Sequence, residues 1–198
     1  MLNKDFDEAM RICMLSEIGP WFKEDHPACI SGIVRTRADK VATGDVDIKG
    51  DSGGHTRYGI AQNYNPEINV STLTYEQAKV VYFNKYWDKS ECDLLPSLLN
   101  IINFDAVVNH GSTNANKFLQ RCLGFLGKDV DGDLGPISLR KCYSVCVTKY
   151  DIKTLCLKVL DERERFFRVI VARNPSQQKF LQGWLNRVAR LREYVKQV

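Results

Sequence analysis

The first apolar positions of the chain recur at helical spacing. Between Asp5 and Ile18, Phe6, Met10, Cys13 and Met14 share one face, and Gly19-Pro20 stops the segment. Glu17 falls on that same face, one turn beyond Cys13. A carboxylate that continues an apolar stripe is costly unless it has a use. The pattern changes between Ala28 and Gly54. Ile30, Ile33, Val34, Val41, Val46 and Ile48 are scattered among Gly32, Gly44, Gly50, Gly53 and Gly54, which fits short strands and turns better than a helix. Thr56 to Gln62 reads as a strand or an extended approach to a turn.

After Pro66 the pattern is helical. Thr74 and Gln77 have capping-box spacing before Ala78, Val81 and Tyr82. Leu98 to Val108 is apolar nearly all round and predicts a buried central helix, interrupted by Asp105 and then Asn109 on one face. Asn114 to Leu123 is amphipathic and ends at Gly124 and Gly127, and Pro136 suits a helix first turn. Ile152 to Ala172 and Ser176 to Val195 are long amphipathic helices separated by Asn174-Pro175. The fold class expected is α+β, mostly α-helical, with a small β-hairpin region and two helical halves that meet near Gly111.

Composition narrows the class. The chain has 198 residues, 44% hydrophobic and 26% charged, which excludes a disordered tail and a coiled-coil rod. Asp5, Asp7, Glu8 and Arg11 interrupt any apolar core in the first dozen residues, so an N-terminal secretory signal is not expected. A net charge of +4 is too mild to imply nucleic acid. From Arg163 to Val198, however, nine Lys or Arg face only Glu164 and Glu193, a local excess of +7. Such a basic C-terminal face suits an anionic envelope surface and equally a solvated helix face. The seven cysteines form no CxxC pair and no Cys/His cluster, which points to reduced, buried thiols and away from structural zinc.

Candidate chemistry gathers in the N-terminal half: Glu17, then Asp51-Ser-Gly-Gly-His-Thr56, then Tyr58-Gly-Ile-Ala-Gln62. Glycoside hydrolysis needs a protonated acid beside the leaving oxygen and a second group that handles water. A Glu17 carboxyl half buried against Met14 and Trp21 would favour its protonated form, whereas Asp51 in a polar glycine turn would stay ionised. Taken alone, a glutamate at a helix end is more often half of a salt bridge, and an Asp-x-Gly-Gly segment is more often a plain turn. Asp25, Asp45 and Asp47 compete with Asp51 for the second role. His26, His55 and His110 are too dispersed for a zinc amidase. Asp129, Asp131 and Asp133 miss the calcium-loop pattern, with Arg140 where a glutamate is required. No metal or cofactor is expected.

These residues resemble a known family. Ser16-Glu17-Ile18-Gly19-Pro20-Trp21 is similar to the His-Glu-Gly-Gly-Tyr motif of glycoside hydrolase family 108 muramidases, with Ser16 and Ile18 in place of the histidine and first glycine. Asp51 to Gln62 is similar to that family's Asp-x-Gly-Gly-x-Thr-x-(Phe/Tyr)-Gly-Ile-x-Gln. Tyr86-Trp87-Asp88, Phe104-Asp105-Ala-Val-Val-Asn109-His-Gly111 and Gly183-Trp184-Leu-Asn-Arg187-Val also correspond. Glu17 and Asp51 stand 34 positions apart, far more than in the family, so residues 23–49 read as an insertion.

The resemblance implies a lysozyme-like catalytic region over residues 1–110 and a helical peptidoglycan-binding region over 111–198. It implies a phage-type endolysin that hydrolyses the β-1,4 bond between N-acetylmuramic acid and N-acetylglucosamine. Glu17 would be the general acid, Asp51 and Thr56 would hold the water, and Tyr58, Gln62 and Asn109 would contact substrate. Asp105 and Asn109 are also expected to tie the central helix to the cleft floor. The partner implied is bacterial peptidoglycan, engaged by a monomer with no stable protein partner. The protein would be made in the host cytoplasm and reach the periplasmic wall after holin-type membrane opening. A lytic transglycosylase, which needs only the acid, and an inactive wall-binding protein are the rival readings.

Overall fold

Helix α1 (Lys4–Glu17) forms where the apolar stripe requires it, and Phe6, Ala9, Met10, Cys13 and Met14 are all buried. The computed structural model describes residues 3–47 and 52–198, so Asp51 lies outside the described residues. Contacts divide the chain into one unit of Phe6–Lys85 and another of Tyr86–Val198 with Asn3–Asp5. The division falls before the central helix, whereas the sequence pattern places it near Gly111.

In the first unit, the stretch expected to form strands contains two short helices, α2 (Pro27–Ser31) and α3 (Arg37–Thr43). Capping explains the difference. The His26 ring accepts from the Ala28 amide and Pro27 sits in the first turn of α2, while Thr36 and Asp39 make a reciprocal capping box on α3. Gly32 and Gly44 are left-handed C-caps, with φ of +69° and +59°. Strands β1 (Thr56–Arg57) and β2 (Ile60–Ala61) pair antiparallel, with Thr56 opposite Ala61 and Arg57 opposite Ile60. Val46 adds a single bridge to Thr56. Helix α4 (Tyr75–Tyr82) starts at the Thr74–Gln77 capping box, as its spacing predicts.

The second unit is built around α5 (Leu99–His110), buried from Leu99 to Val107. Around it lie α6 (Ser112–Cys122), α7 (Pro136–Val145), α8 (Lys149–Arg173) and α9 (Gln178–Gln197). The architecture is therefore α+β and mostly helical. Asp105 is fully enclosed. It accepts from Arg163 Nη2 of α8 at 2.7 Å and from Arg187 Nε of α9 at 3.0 Å, so its tie is to these two helices, in place of the expected cleft floor. Burial alone would raise its pKa, but Arg187 and Arg163 outweigh burial and hold it at about 2.

The basic excess is thus partly spent inside the unit. Arg163 and Arg187 are buried on Asp105, and Arg192 bridges Asp161 and Glu164. The Val130–Pro136 turn is organised by Gln120, whose amide donates to Asp131 Oδ1 and Asp133 O and accepts from the Gly132 amide. None of the seven cysteines is joined in a disulfide. Burial pushes Cys92, Cys122 and Cys142 up to about 12. Among the described residues, no helix is long and apolar enough to cross a membrane.

Candidate active site

The β1–β2 connection is a two-residue turn with positive φ at both centres, +52° at Tyr58 and +74° at Gly59. This is the type I′ geometry that matches hairpin twist, but a tyrosine in its first position is strained. Tertiary contacts hold it there. The Tyr58 amide donates to Thr43 O at 3.0 Å, and its carbonyl accepts from Tyr82 Oη at 2.9 Å. The Tyr58 ring is completely buried, 5.9 Å from that of Tyr75. Burial first, then the neighbouring Cys29, raises the Tyr58 pKa, so the phenol stays neutral. Tyr58 therefore supports the turn from within; it does not line a cleft as expected.

Glu17, the last residue of α1, rests on this turn. A Cβ added to Gly59 would lie 2.8 Å from Tyr82 Oη at φ +74°, so the position requires glycine, and Glu17 Oε2 would stand 3.5 Å from the same point, at ordinary contact distance. The jacket anticipated around Glu17 is absent. Glu17 is exposed, and Trp21 is 69% exposed. What the fold supplies is position, from a buried helix stripe on one side and a braced turn on the other.

Beneath the hairpin lies an ion pair that sequence reasoning missed. Arg57 is 2% exposed and donates through Nη1 to Gly32 O and Leu73 O, at 2.9 and 3.1 Å. Its Nε and Nη2 reach Asp45 Oδ2 at 2.7 and 2.6 Å, and His55 Nε2 contacts the same oxygen at 3.1 Å. Asp45 is thereby committed to structure, which removes it as a rival to Asp51; Asp25 and Asp47 are exposed. The available signal was an arginine between the turn glycines Gly54 and Gly59, in a hairpin with no other charged residue.

Thr56 pairs with Ala61 on the half-buried face of the hairpin, opposite the face of Arg57 and Ile60. Its hydroxyl donates to Gly54 O at 3.2 Å and keeps lone pairs for a water. Gln62 is structural. Its Nε2 donates to Asn65 O and Ile68 O, and its Oε1 accepts from the Val70 amide, so its capacity is spent on its own loop and not on substrate. Asn63 Nδ2 donates to Ser52 O at 2.9 Å, tying down the residue that follows Asp51. Asn109 is exposed near the end of α5, in the second unit. Among the described residues, no group of three or more His, Cys, Asp or Glu could hold a metal ion.

Residues 41–111 match the family model described as Glycosyl hydrolase 108, and residues 114–189 match that described as Predicted Peptidoglycan domain. The chain joins a glycosyl hydrolase 108 region to a peptidoglycan domain. The hairpin lies within the first match, whereas Glu17 precedes it. The protein is similar to the solved structure of Brucella abortus SagA, with 26% identity and a TM-score of 0.59, over 76% of this chain and 84% of that one. No curated protein matches it. The two regions together make it a glycoside hydrolase acting on peptidoglycan.

Proposed function

We propose that the protein is an N-acetylmuramidase in which Glu17 is the general acid. The observation that carries this reading is the Glu17 carboxyl seated on the Gly59 turn. An acid must reach a glycosidic oxygen in a bulky polymer, and a carboxyl at an exposed helix end, fixed by a braced turn, meets that need. Glu17 gives its proton to the departing 4-oxygen of N-acetylglucosamine. Water adds to C1 of N-acetylmuramic acid, and its proton passes to Asp51, with the Thr56 hydroxyl orienting it. Tyr58, Tyr82 and Arg57 are positioning residues that shape the turn. The same reading makes the protein an endolysin, synthesised in the host cytoplasm and admitted to the wall by a holin-type protein. Culture turbidity with and without such a co-expressed membrane-opening protein tests that role.

The decisive experiment digests purified peptidoglycan with the wild-type protein and with Glu17→Gln, and reads the products by mass. Hydrolysis leaves a reducing muramic acid end. An anhydro end, lighter by one water, would instead identify a lytic transglycosylase, and retained wall binding without soluble product would identify a binding protein. Loss of the transferable proton should cost roughly 10²–10⁴ in rate with the melting temperature retained. Wild-type activity in Glu17→Gln would overturn the assignment.

A further inference from the structure

The peptidoglycan domain contains a groove between the end of α6 and the outer face of α7. It has a volume of ≈ 410 Å³, within the range of small-ligand sites. Leu123, Phe125 and Ile137 form its apolar wall, and Arg140, Lys141 and Ser144 supply its polar edge. Ile137 is 74% exposed, and Leu126, next to Phe125, is 79% exposed. Large aliphatic side chains left in water beside a groove mark an interaction surface. The cations strengthen that conclusion. Arg163, Arg187, Arg192 and Lys196 are all engaged by carboxylates. Arg140 and Lys141, by contrast, are exposed and make no side-chain ion pair or hydrogen bond among the described residues.

We propose that this groove binds the acidic stem peptide of peptidoglycan, with Arg140 and Lys141 on its carboxylates and its methyl side chains against Leu123, Phe125 and Ile137. The choice follows from charge. The glycan strand is uncharged where its lactyl group is amide-linked to peptide, so paired cations beside an apolar wall discriminate for the peptide. The inference rests on peptidoglycan being the polymer bound, but not on Glu17.

The test uses the full chain and the free stem tetrapeptide, which contains no glycosidic bond, so a failure of the muramidase reading leaves it intact. Titration followed by amide NMR should shift signals of Leu123, Gly124, Ile137 and Ser144 in the wild-type protein. The double variant Arg140→Glu/Lys141→Glu should raise the dissociation constant at least about tenfold, with melting unchanged because both side chains are exposed. A peptide-free N-acetylglucosamine oligomer and inorganic phosphate should leave these signals in place. Absence of binding by the wild type, equal binding by the double variant, or an equal response to the oligomer or to phosphate would each overturn the proposal. Binding of the tetrapeptide by a protein that releases no products from peptidoglycan would refute the muramidase reading alone.

Discussion

Acid should loosen the second unit as soon as the pH falls below about 6.5, because of His110. The ring, at the end of α5, is enclosed by Phe118, Phe166 and Phe167, with centroids 5.2, 5.6 and 4.8 Å away. Its Nε2 accepts from Arg163 Nε at 3.3 Å, so a proton on that nitrogen would set one N–H against another. Burial first, and the Arg163 charge second, hold His110 at about 3 against the ordinary 6.5, with Asp105 opposing. In the unfolded chain the imidazole protonates near pH 6.5, and in the folded unit it does not. Stability is therefore complete above pH 6.5 and falls as the pH is lowered toward 3. At about 1.4 kcal/mol per pH unit, the fall to pH 4.5 costs about 3 kcal/mol, a large share of a domain's stability. Asp105 works in the other window. Its lowered pKa adds stability above about pH 4 that is lost only as the pH falls through about 2. Thermal melts from pH 7 to 4.5 should show the wild-type protein losing roughly 10 °C. His110→Gln, which keeps an acceptor for Arg163 but cannot titrate, should start lower and stay nearly flat. Equal pH slopes in the two proteins, or an imidazole that titrates near 6.5 by NMR, would refute the reasoning.

Three further outcomes can be checked. Gly59→Ala places a methyl 2.8 Å from Tyr82 Oη at φ +74°, so it should cost about 1–2 kcal/mol in a melt and lower product release about 10–100-fold; unchanged turnover would detach Glu17 from the turn. Arg57→Ala strands the Asp45 carboxylate and two backbone carbonyls, and should lose about 3–5 kcal/mol in urea unfolding. A loss below about 1 kcal/mol would mean that water replaces the guanidinium. Alkylation should titrate seven thiols in the denatured protein and only slowly label Cys92 and Cys142 in the native one, since burial keeps both as neutral thiols; rapid native labelling of either would contradict that burial.

Local chemistry makes much of this protein legible in its sequence. The stripe Phe6–Met14, the Thr74–Gln77 box, the apolar run of α5 and the Pro136 start all act within a turn or two of chain, and each element stands where its spacing puts it. Residues 28–44 mislead because apolar residues among glycines look alike in a strand-and-turn region and in short capped helices; only the Thr36–Asp39 and His26 caps distinguish them, and both are weak signals. The identity of the ordered motifs is likewise visible in the chain. What each motif residue does is not. Tyr58 and Gln62 sit in the same run as Thr56, yet one is buried under the turn and the other is consumed by its own loop. Arg57 finds Asp45, Asp105 finds Arg163 and Arg187, and Glu17 finds Gly59 across 12, 58, 82 and 42 residues respectively. Contacts at such separations depend on how the elements pack in three dimensions. Whether a charged side chain is exposed, paired or enclosed is therefore decided by the tertiary structure, because solvation is set by everything that surrounds a group and not by its neighbours along the chain.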